Sequence, residues 1–177
     1  MIKLQPFTRN DYNELIANID SKKMLLQWAG RAFEHPLNTQ QLDNYLNNNT
    51  RIIFKAVNDL NYSIGHIALQ DIDFQNRTAR IGKVLVFNNT ERGKGYGLMM
   101  IQRVLELAFK KYDLNRVSLG VFDFNESAIR CYEKAGFVKE GLLREVCRYE
   151  NEFWNLYEMS ILKREWTILK ERRSEQK

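Results

Sequence analysis

The spacing of apolar and polar residues predicts a definite order of strands and helices along the chain. Ile2 to Phe7 alternates weakly, and this period of two predicts a first strand. A helix is predicted from Thr8, because Asp11 three residues later can complete a capping box. The stretch 21–33 is predicted as a short helix or an irregular segment, and a further helix begins at Thr39.

In the rest of the chain the spacing of apolar residues switches several times between strand-like and helix-like periods. Three strands separated by polar turns predict an antiparallel meander, at 51–57, 62–73 and 78–87. Helices are then predicted at 98–109 and 125–135, and strands at 116–122, from 137 onward and at 153–162. A basic helical tail follows the last strand. A parallel step in a sheet needs a crossover, so these inserted helices predict an α/β (α+β) fold. Its mixed, mainly antiparallel sheet would be covered by helices on both faces.

Composition and charge narrow the class of protein. The length of 177 residues predicts one domain, 1–177, with a single core. We expect a cytoplasmic protein without a membrane segment, since no apolar window approaches a spanning length and no signal-peptide pattern opens the sequence. Cys131 and Cys147 form no CxxC pair and the two histidines are far apart, so neither a metal site nor a disulfide is expected.

The net charge is +5, and much of the excess lies in the tail. A basic surface can serve nucleic acid or an anionic cofactor. Because no aromatic-interleaved basic motif accompanies the charge, nucleic acid is not the expected partner.

The segment 84–97 carries the clearest chemical signal. Its glycines at 93, 95 and 97 permit positive φ and close backbone approach, so successive N–H groups can converge on an anion. The start of the following helix adds a partial positive charge, and Arg92 and Lys94 add full charges. The segment therefore predicts a pyrophosphate-binding loop.

The spacing excludes two common nucleotide loops. A Walker loop needs Ser or Thr where Gly95 stands, and the dinucleotide pattern needs glycine where Leu98 stands. The pattern R-x-x-G-x-G from Arg92 to Gly97 resembles the coenzyme A loop of the GNAT superfamily of N-acetyltransferases. A plain glycine-rich turn that caps a helix is the alternative interpretation.

A second motif lies some thirty residues further on, at 125–137. Asn125 is followed seven residues later by Tyr132 and then by Gly136-Phe137, which is similar to a second GNAT signature. Residues i and i+7 share a helix face. Taken alone, Asn125 could be an N-cap and Tyr132 a core aromatic. The phrase from Gly136 to Gly141 and the strand end 158–162 are most similar to the ribosomal-protein and spermidine acetyltransferase branch.

The resemblance implies a GNAT fold and an acetyl-CoA-dependent N-acetyltransferase. A primary amine, either a protein or peptide α-amine or a small-molecule amine, would attack the thioester directly, between the strand ending at Phe87 and the strand 116–122. Tyr132 would act as the general acid at the leaving sulfur. The implied cofactor-binding residues are Leu85, Val86, Phe87, Arg92, Gly93, Lys94, Gly95, Tyr96, Gly97, Leu98 and Asn125.

The general base is where the sequence departs from the family. The usual carboxylate position holds Arg80 or Lys83, and neither can act as a carboxylate. Acidic residues that could substitute through water are Asp71, Asp73, Glu150 and Glu152. Deprotonating a lysine-like amine at neutral pH costs about 4.5 kcal/mol, against about 1 to 1.5 kcal/mol for an α-amine. A weak base and a nearby cation therefore favour α-amines or uncharged small amines over polyamines.

Other properties are left open by the sequence. A non-catalytic acyl-CoA-binding or sensory domain is the alternative function, and a homodimer is a possible assembly. The regions 20–49 and 149–154 would shape the acceptor pocket. Trp28, Phe33 and Trp154 could line it or could be core aromatics.

Overall fold

The computed structural model describes residues 1–87 and 93–175. Within them, seven strands and six α-helices follow the predicted order. The strands are β1 Ile2–Pro6, β2 Ile52–Asn58, β3 Ser63–Asp73, β4 Thr78–Val86, β5 Arg116–Phe122, β6 Val138–Tyr149 and β7 Glu152–Leu162. The helices are α1 Tyr12–Ala17, α2 Lys22–Ala29, α3 Thr39–Leu46, α4 Tyr96–Glu106, α5 Glu126–Ala135 and α6 Lys163–Glu175.

The strands pair in the order β1-β2-β3-β4-β5-β7-β6. Strand β4 runs parallel to β5, with the register from Thr78↔Arg116 to Arg80↔Ser118. The pairings β1·β2, β2·β3, β5·β7 and β6·β7 are antiparallel. The predicted mixed, mainly antiparallel sheet is therefore confirmed.

Most observed bounds lie within one residue of the predicted ones, and the helix predicted at 98–109 differs more. Helix α4 begins at Tyr96 rather than Leu98, because the backbone leaves the positive-φ region directly after Gly95. The predicted helix also changes character near its end, where Leu107–Lys111 forms a π-helical turn. No helix among the described residues is long and apolar enough to cross a membrane.

The chain divides into two compact units, and β3, β4 and α4 each contribute to both. Unit 1 comprises Met1–Gln70 and Gly82–Met100. Its aromatic and aliphatic core comes from α1 to α3 and from strands β2 to β4. The buried core residues are Phe7, Tyr12, Leu15, Ile19, Leu25, Trp28, Leu37, Leu42, Tyr45, Ile53, Ala68, Leu85 and Phe87.

Unit 2 comprises Asp71–Ile81 and Ile101–Lys177. Alternate residues of β5 and β7 are deeply buried, among them Val117, Leu119 and Ile161. Helix α6 packs against this unit through Trp166, whose ring centroid lies 5.3 Å from that of Phe109. This core fixes the position of α5, which carries the second sequence motif.

Candidate active site

The glycine loop and the start of α4 lie in unit 1. Gly93 and Gly95 have φ values of +81° and +82°, a conformation that other residues adopt only with strain. A Cβ at either position would meet nothing within 4 Å, so backbone conformation rather than crowding requires glycine. The predicted ligand Arg92 lies outside the described residues, as do 88–91.

Helix α4 opens directly onto this loop. The N–H of Met99 donates to the carbonyl of Gly95 at 3.1 Å and makes the first helical hydrogen bond. The N–H groups of Tyr96, Gly97 and Leu98 therefore precede that bond and have no acceptor within the helix. These donors, together with the helix dipole, favour an anion at this end of α4.

The strand leading into the loop offers backbone groups rather than side chains. The side chains of Leu85 and Phe87 are buried in the core of unit 1. A Cβ on Gly65 would lie 2.5 Å from the carbonyl oxygen of Leu85, so glycine is required there for close strand approach. The Phe87 N–H already donates to the carbonyl of Ile64 at 2.9 Å, so among the predicted pantetheine residues 85–87 only main-chain groups that β3 does not use could contact a cofactor.

Asn125 and Tyr132 belong to unit 2 and lie at the start and in the body of α5. The Oδ1 atom of Asn125 accepts a hydrogen bond from the N–H of Ala128 at 3.3 Å, so Asn125 is the N-cap. Tyr132 is buried, and its ring packs edge-to-face on Phe137 at 6.0 Å. Both structural roles that the sequence left open are thus present. The cap uses only the Asn125 oxygen, and burial raises the pKa of Tyr132, which keeps its phenol protonated.

Arg80, one of the two positions of the missing base, forms an ion pair in unit 2. Its Nη2 atom donates to Glu158 Oε2 at 3.0 Å, its Nη1 atom donates to the other oxygen of the same carboxylate, and Nη1 also reaches Ser118 Oγ at 3.2 Å. The predicted repulsion of a polyamine by Arg80 is therefore reduced, because Glu158 neutralises it. Glu158 was missed from the sequence, since only strand register brings β4 and β7 residues together.

Lys83, the other position, has φ of +53° within β4 in unit 1. Its Nζ atom donates to Gln70 Oε1 at 3.1 Å and lies 5.5 Å from the ring centroid of Tyr45. The carbonyl of Lys83 accepts a hydrogen bond from His66 Nδ1 at 2.8 Å. Lys83 is therefore a bound cation rather than a base.

The rings of Trp28, Phe33, Tyr45 and His66 in unit 1 form a closed circuit of four. The centroid distances are 5.7 Å for Trp28–Phe33, 5.4 Å for Phe33–Tyr45, 5.9 Å for Tyr45–His66 and 5.4 Å for Trp28–His66. Trp28 Nε1, Tyr45 Oη and His66 Nε2 are buried and lack a hydrogen-bond partner in the described part of the chain. Trp28 and Phe33 were predicted candidates for the acceptor pocket, whereas Tyr45 and His66 were missed.

The tautomer of His66 follows from its partner. A carbonyl can only accept, so Nδ1 carries the proton that is donated to Lys83. Nε2 then presents an unprotonated lone pair. Burial is the largest cause that lowers the pKa of His66, to about 4, so the ring is neutral at physiological pH.

Trp154 is the centre of an aromatic cluster in unit 2. Its centroid lies 5.0 Å from that of Phe122, 4.8 Å from that of Phe124 and 5.1 Å from that of Tyr149. Trp154 Nε1 donates to Glu152 Oε2 at 3.2 Å, so this candidate base already accepts a hydrogen bond.

Asp73, another candidate base, is also engaged locally. It accepts from the backbone N–H of Asn76 at 2.8 Å and from its side-chain amide at 2.6 Å. These hydrogen bonds, the backbone one first, lower the pKa of Asp73. Asp71 and Glu150 have φ values of +52° and +53°, and nothing in the described geometry distinguishes any of the four predicted carboxylates as the base.

A comparison with protein-family models identifies the family to which the chain belongs. The model of the acetyltransferase (GNAT) domain matches residues 2–138, which is most of the chain. The chain belongs to the GNAT family. GNAT acetyltransferases use acetyl-CoA, and the backbone N–H donors at the start of α4 fit the diphosphate of that cofactor.

Individual relatives agree with this membership. The chain is 39% identical over 93 residues to YokL, a prophage-derived N-acetyltransferase of Bacillus subtilis (strain 168), covering 52% of the chain and 51% of YokL. It is 25% identical over 163 residues to the spermidine N(1)-acetyltransferase of Vibrio cholerae, covering 91% and 92%. The chain spans between 51% and 64% of the length of the first curated relatives it matches.

Solved structures confirm the fold. The crystal structure of the Vibrio cholerae spermidine N-acetyltransferase in complex with CoA and spermine superposes with a TM-score of 0.81 at 23% identity. The match covers 94% of this chain and 98% of that one. The predicted GNAT fold is therefore confirmed.

Proposed function

We propose that the protein is an N-acetyltransferase that moves the acetyl group of acetyl-CoA to a primary amine by direct attack. The observation that carries the proposal is the start of α4 in a GNAT chain, where the N–H groups of residues 96–98 follow the positive-φ residues Gly93 and Gly95 and have no acceptor within the helix. The acceptors named for relatives, spermidine among them, are amines. The non-catalytic acyl-CoA-binding alternative finds no support in these comparisons.

Most of the predicted site residues have a proposed task. Bound acetyl-CoA supplies an activated thioester. The N–H groups of residues 96–98 and the ammonium of Lys94 would hold the diphosphate, and the main chain of residues 85–87 would pair with the pantetheine arm. The Asn125 amide nitrogen is the part of that side chain left for the cofactor, because its oxygen caps α5.

Tyr132 is proposed to protonate the leaving sulfur. As the amine forms its C–N bond and the C–S bond breaks, Tyr132 would donate its phenolic proton to the departing sulfur, and the proton lost by the attacking nitrogen would restore the phenol. The raised pKa of Tyr132 keeps that proton in place before reaction. A sulfur that is protonated as it leaves departs more readily than a bare thiolate, because the pKa of a free thiol is near 8.5.

The acceptor is proposed to be a protein or peptide α-amine or a small-molecule amine. An α-amine costs least to deprotonate where no carboxylate base has been found. The neutralisation of Arg80 by Glu158 keeps polyamines in the panel of acceptors to be tested. Spermidine and a short peptide with a free N-terminus are the two most informative members of that panel.

Binding tests the loop before turnover is measured. Acetyl-CoA at about one hundred times its Kd should raise the free energy of unfolding by about 2.7 kcal/mol. ATP and NAD at the same concentration should raise it much less, because the loop matches neither of their motifs. Equal stabilisation by ATP would show that the loop has been assigned to the wrong cofactor.

The extent of the domain, the cellular location and the assembly are part of the same proposal. We treat residues 1–177 as one acetyltransferase domain. Cys131 and Cys147 are free thiols, which is typical of a reducing compartment and supports a cytoplasmic location. A homodimer is the proposed assembly.

A further inference from the structure

The ion pair of Arg80 and Glu158 joins two strands that are not neighbours in the sheet. Strand β5 lies between β4 and β7 in the strand order. Glu158 is the Cα partner of Gly120 on β5, and Arg80 is the Cα partner of Ser118. Cross-strand partners point to the same face of a sheet. Because Gly120 has no side chain, the carboxylate of Glu158 extends across β5 and reaches Arg80.

Arg80 fixes the carboxylate through both of its oxygens and leaves part of it unused. Its Nη1 atom donates to Glu158 Oε1, and its Nη2 atom donates to Oε2 at 3.0 Å. An ionised carboxylate only accepts hydrogen bonds and has room for about four. Among the residues that the structure describes, no other group donates to this carboxylate, so each oxygen keeps an open acceptor position. The Glu158 side chain is 24% exposed, so a ligand can reach it.

A second arginine–glutamate pair on the same sheet is saturated instead. Arg116 donates to the two oxygens of Glu140 at 2.9 and 2.7 Å, and Ser160 donates to Glu140 at 2.7 Å. In the pair between β4 and β7 the serine acts in the opposite sense, because Ser118 accepts from Arg80 at 3.2 Å. That hydroxyl orients the arginine and leaves the paired carboxylate open.

The open carboxylate lies where the sequence of β4 lacks one. Arg80 is one of the two positions at which the family resemblance places a glutamate. The pair Arg80↔Ser118 is also the last of the β4·β5 register, and the resemblance implies that the amine attacks between these two strands. Glu158 therefore brings a carboxylate from β7 to this part of the sheet.

We propose that Glu158 binds the attacking nitrogen of the acceptor amine, with Arg80 holding its carboxylate in place. This inference rests on the proposed acetyl transfer and names a residue that recognises the acceptor. The open positions of Glu158 are acceptors, so the ligand must be a donor. A primary amine keeps two N–H donors after it loses its ammonium proton, and its lone pair stays free to attack the thioester.

Glu158→Gln tests this role, with Glu140→Gln as the matched control. Each change removes one carboxylate from an arginine pair on the same sheet, but only Glu158 has open acceptor positions. Spermidine and a peptide with a free N-terminus serve as acceptors at saturating acetyl-CoA. Glu158→Gln should lower kcat/KM for the amine about 10- to 100-fold, the usual effect of losing a hydrogen bond to a charged group. The KM for acetyl-CoA should be unchanged, and Glu140→Gln should keep wild-type kinetics.

A double variant, Arg80→Met with Glu158→Gln, separates a lost ligand from an unpaired cation. The single change leaves the Arg80 charge without its carboxylate, and urea unfolding measures what this costs the fold. If the carboxylate binds the amine, the double variant should regain stability but not activity. Recovered activity in the double variant, or equal kcat/KM in Glu158→Gln and Glu140→Gln, would overturn the inference and leave the proposed acetyl transfer standing. A wild type without amine-dependent turnover would contradict both.

Discussion

His66 makes the stability of the protein depend on pH in a window where carboxylates contribute little. The ring is fully buried, and burial is the main cause of its low pKa. The positive charge of Lys83 lowers that pKa further, whereas the hydrogen bond to the Lys83 carbonyl and the charge of Asp11 raise it. The unfolded chain therefore binds a proton at a higher pH than the folded chain does. Stability should be complete above about pH 6.5 and should fall as the pH approaches 4.

The magnitude follows from the two pKa values. With about 6.5 for the unfolded and about 4 for the folded state, lowering the pH from about 7.5 to about 5.5 should cost about 1.3 kcal/mol of unfolding free energy. By pH 4 the loss should approach about 3 kcal/mol. Most of the interval from pH 7.5 to 5.5 lies above the titration range of ordinary carboxylates, so His66 should dominate the change in unfolding free energy there.

Urea unfolding at several pH values measures this dependence. His66→Asn keeps a side-chain donor that can reach the Lys83 carbonyl but cannot titrate, so its stability should be lower overall yet nearly flat between pH 7.5 and 5.5. His35→Asn is the control, because His35 is exposed and is the other histidine of the chain. It should keep the wild-type slope. If His66→Asn and the wild type lose stability equally across this interval, the assignment of a neutral buried His66 is wrong.

Three further predictions concern the proposed cofactor-binding residues and the proposed acid. Gly95→Val should abolish most acetyl-CoA affinity. Gly30→Val is the control, because Gly30 is another positive-φ glycine with open space, so this variant should share the backbone strain but keep the affinity. Equal binding by the two variants would contradict the loop assignment. Tyr132→Phe should lower kcat by up to about 10²- to 10⁴-fold with acetyl-CoA affinity unchanged. Asn125→Ser should do the reverse, weakening acetyl-CoA binding while the serine still caps α5. Steady-state kinetics and calorimetry separate the Tyr132 and Asn125 effects, and turnover of Tyr132→Phe within about twofold of wild type would make Tyr132 structural.

The glycine loop could be predicted because the residues that form it are contiguous in the sequence. Gly93, Gly95 and the helix that follows need only the local backbone to form an anion site. Asn125 was harder, because the same residue type at a helix start serves as a cap or as a ligand. The structure shows the cap, and the cap leaves the amide nitrogen available.

Long-range pairs were not predictable from pattern. Arg80 and Glu158 are 78 residues apart and meet only through the order and register of β4, β5 and β7. The contact between His66 and the Lys83 carbonyl likewise depends on the positive φ of Lys83 within β4. No local spacing signals either contact, so the sequence could show that the usual carboxylate was missing but not what surrounds the cation in its place.

Release of free CoA thiol in the presence of acetyl-CoA and an amine tests the central claim most directly. The account predicts steady release that depends on both substrates, with acetylated amine formed in equal amount. A panel containing a free-N-terminus peptide, the same peptide with a blocked N-terminus, and spermidine identifies the acceptor class. Tight acetyl-CoA binding with no amine-dependent release by any member of the panel would contradict the account and would favour a non-catalytic acyl-CoA-binding protein.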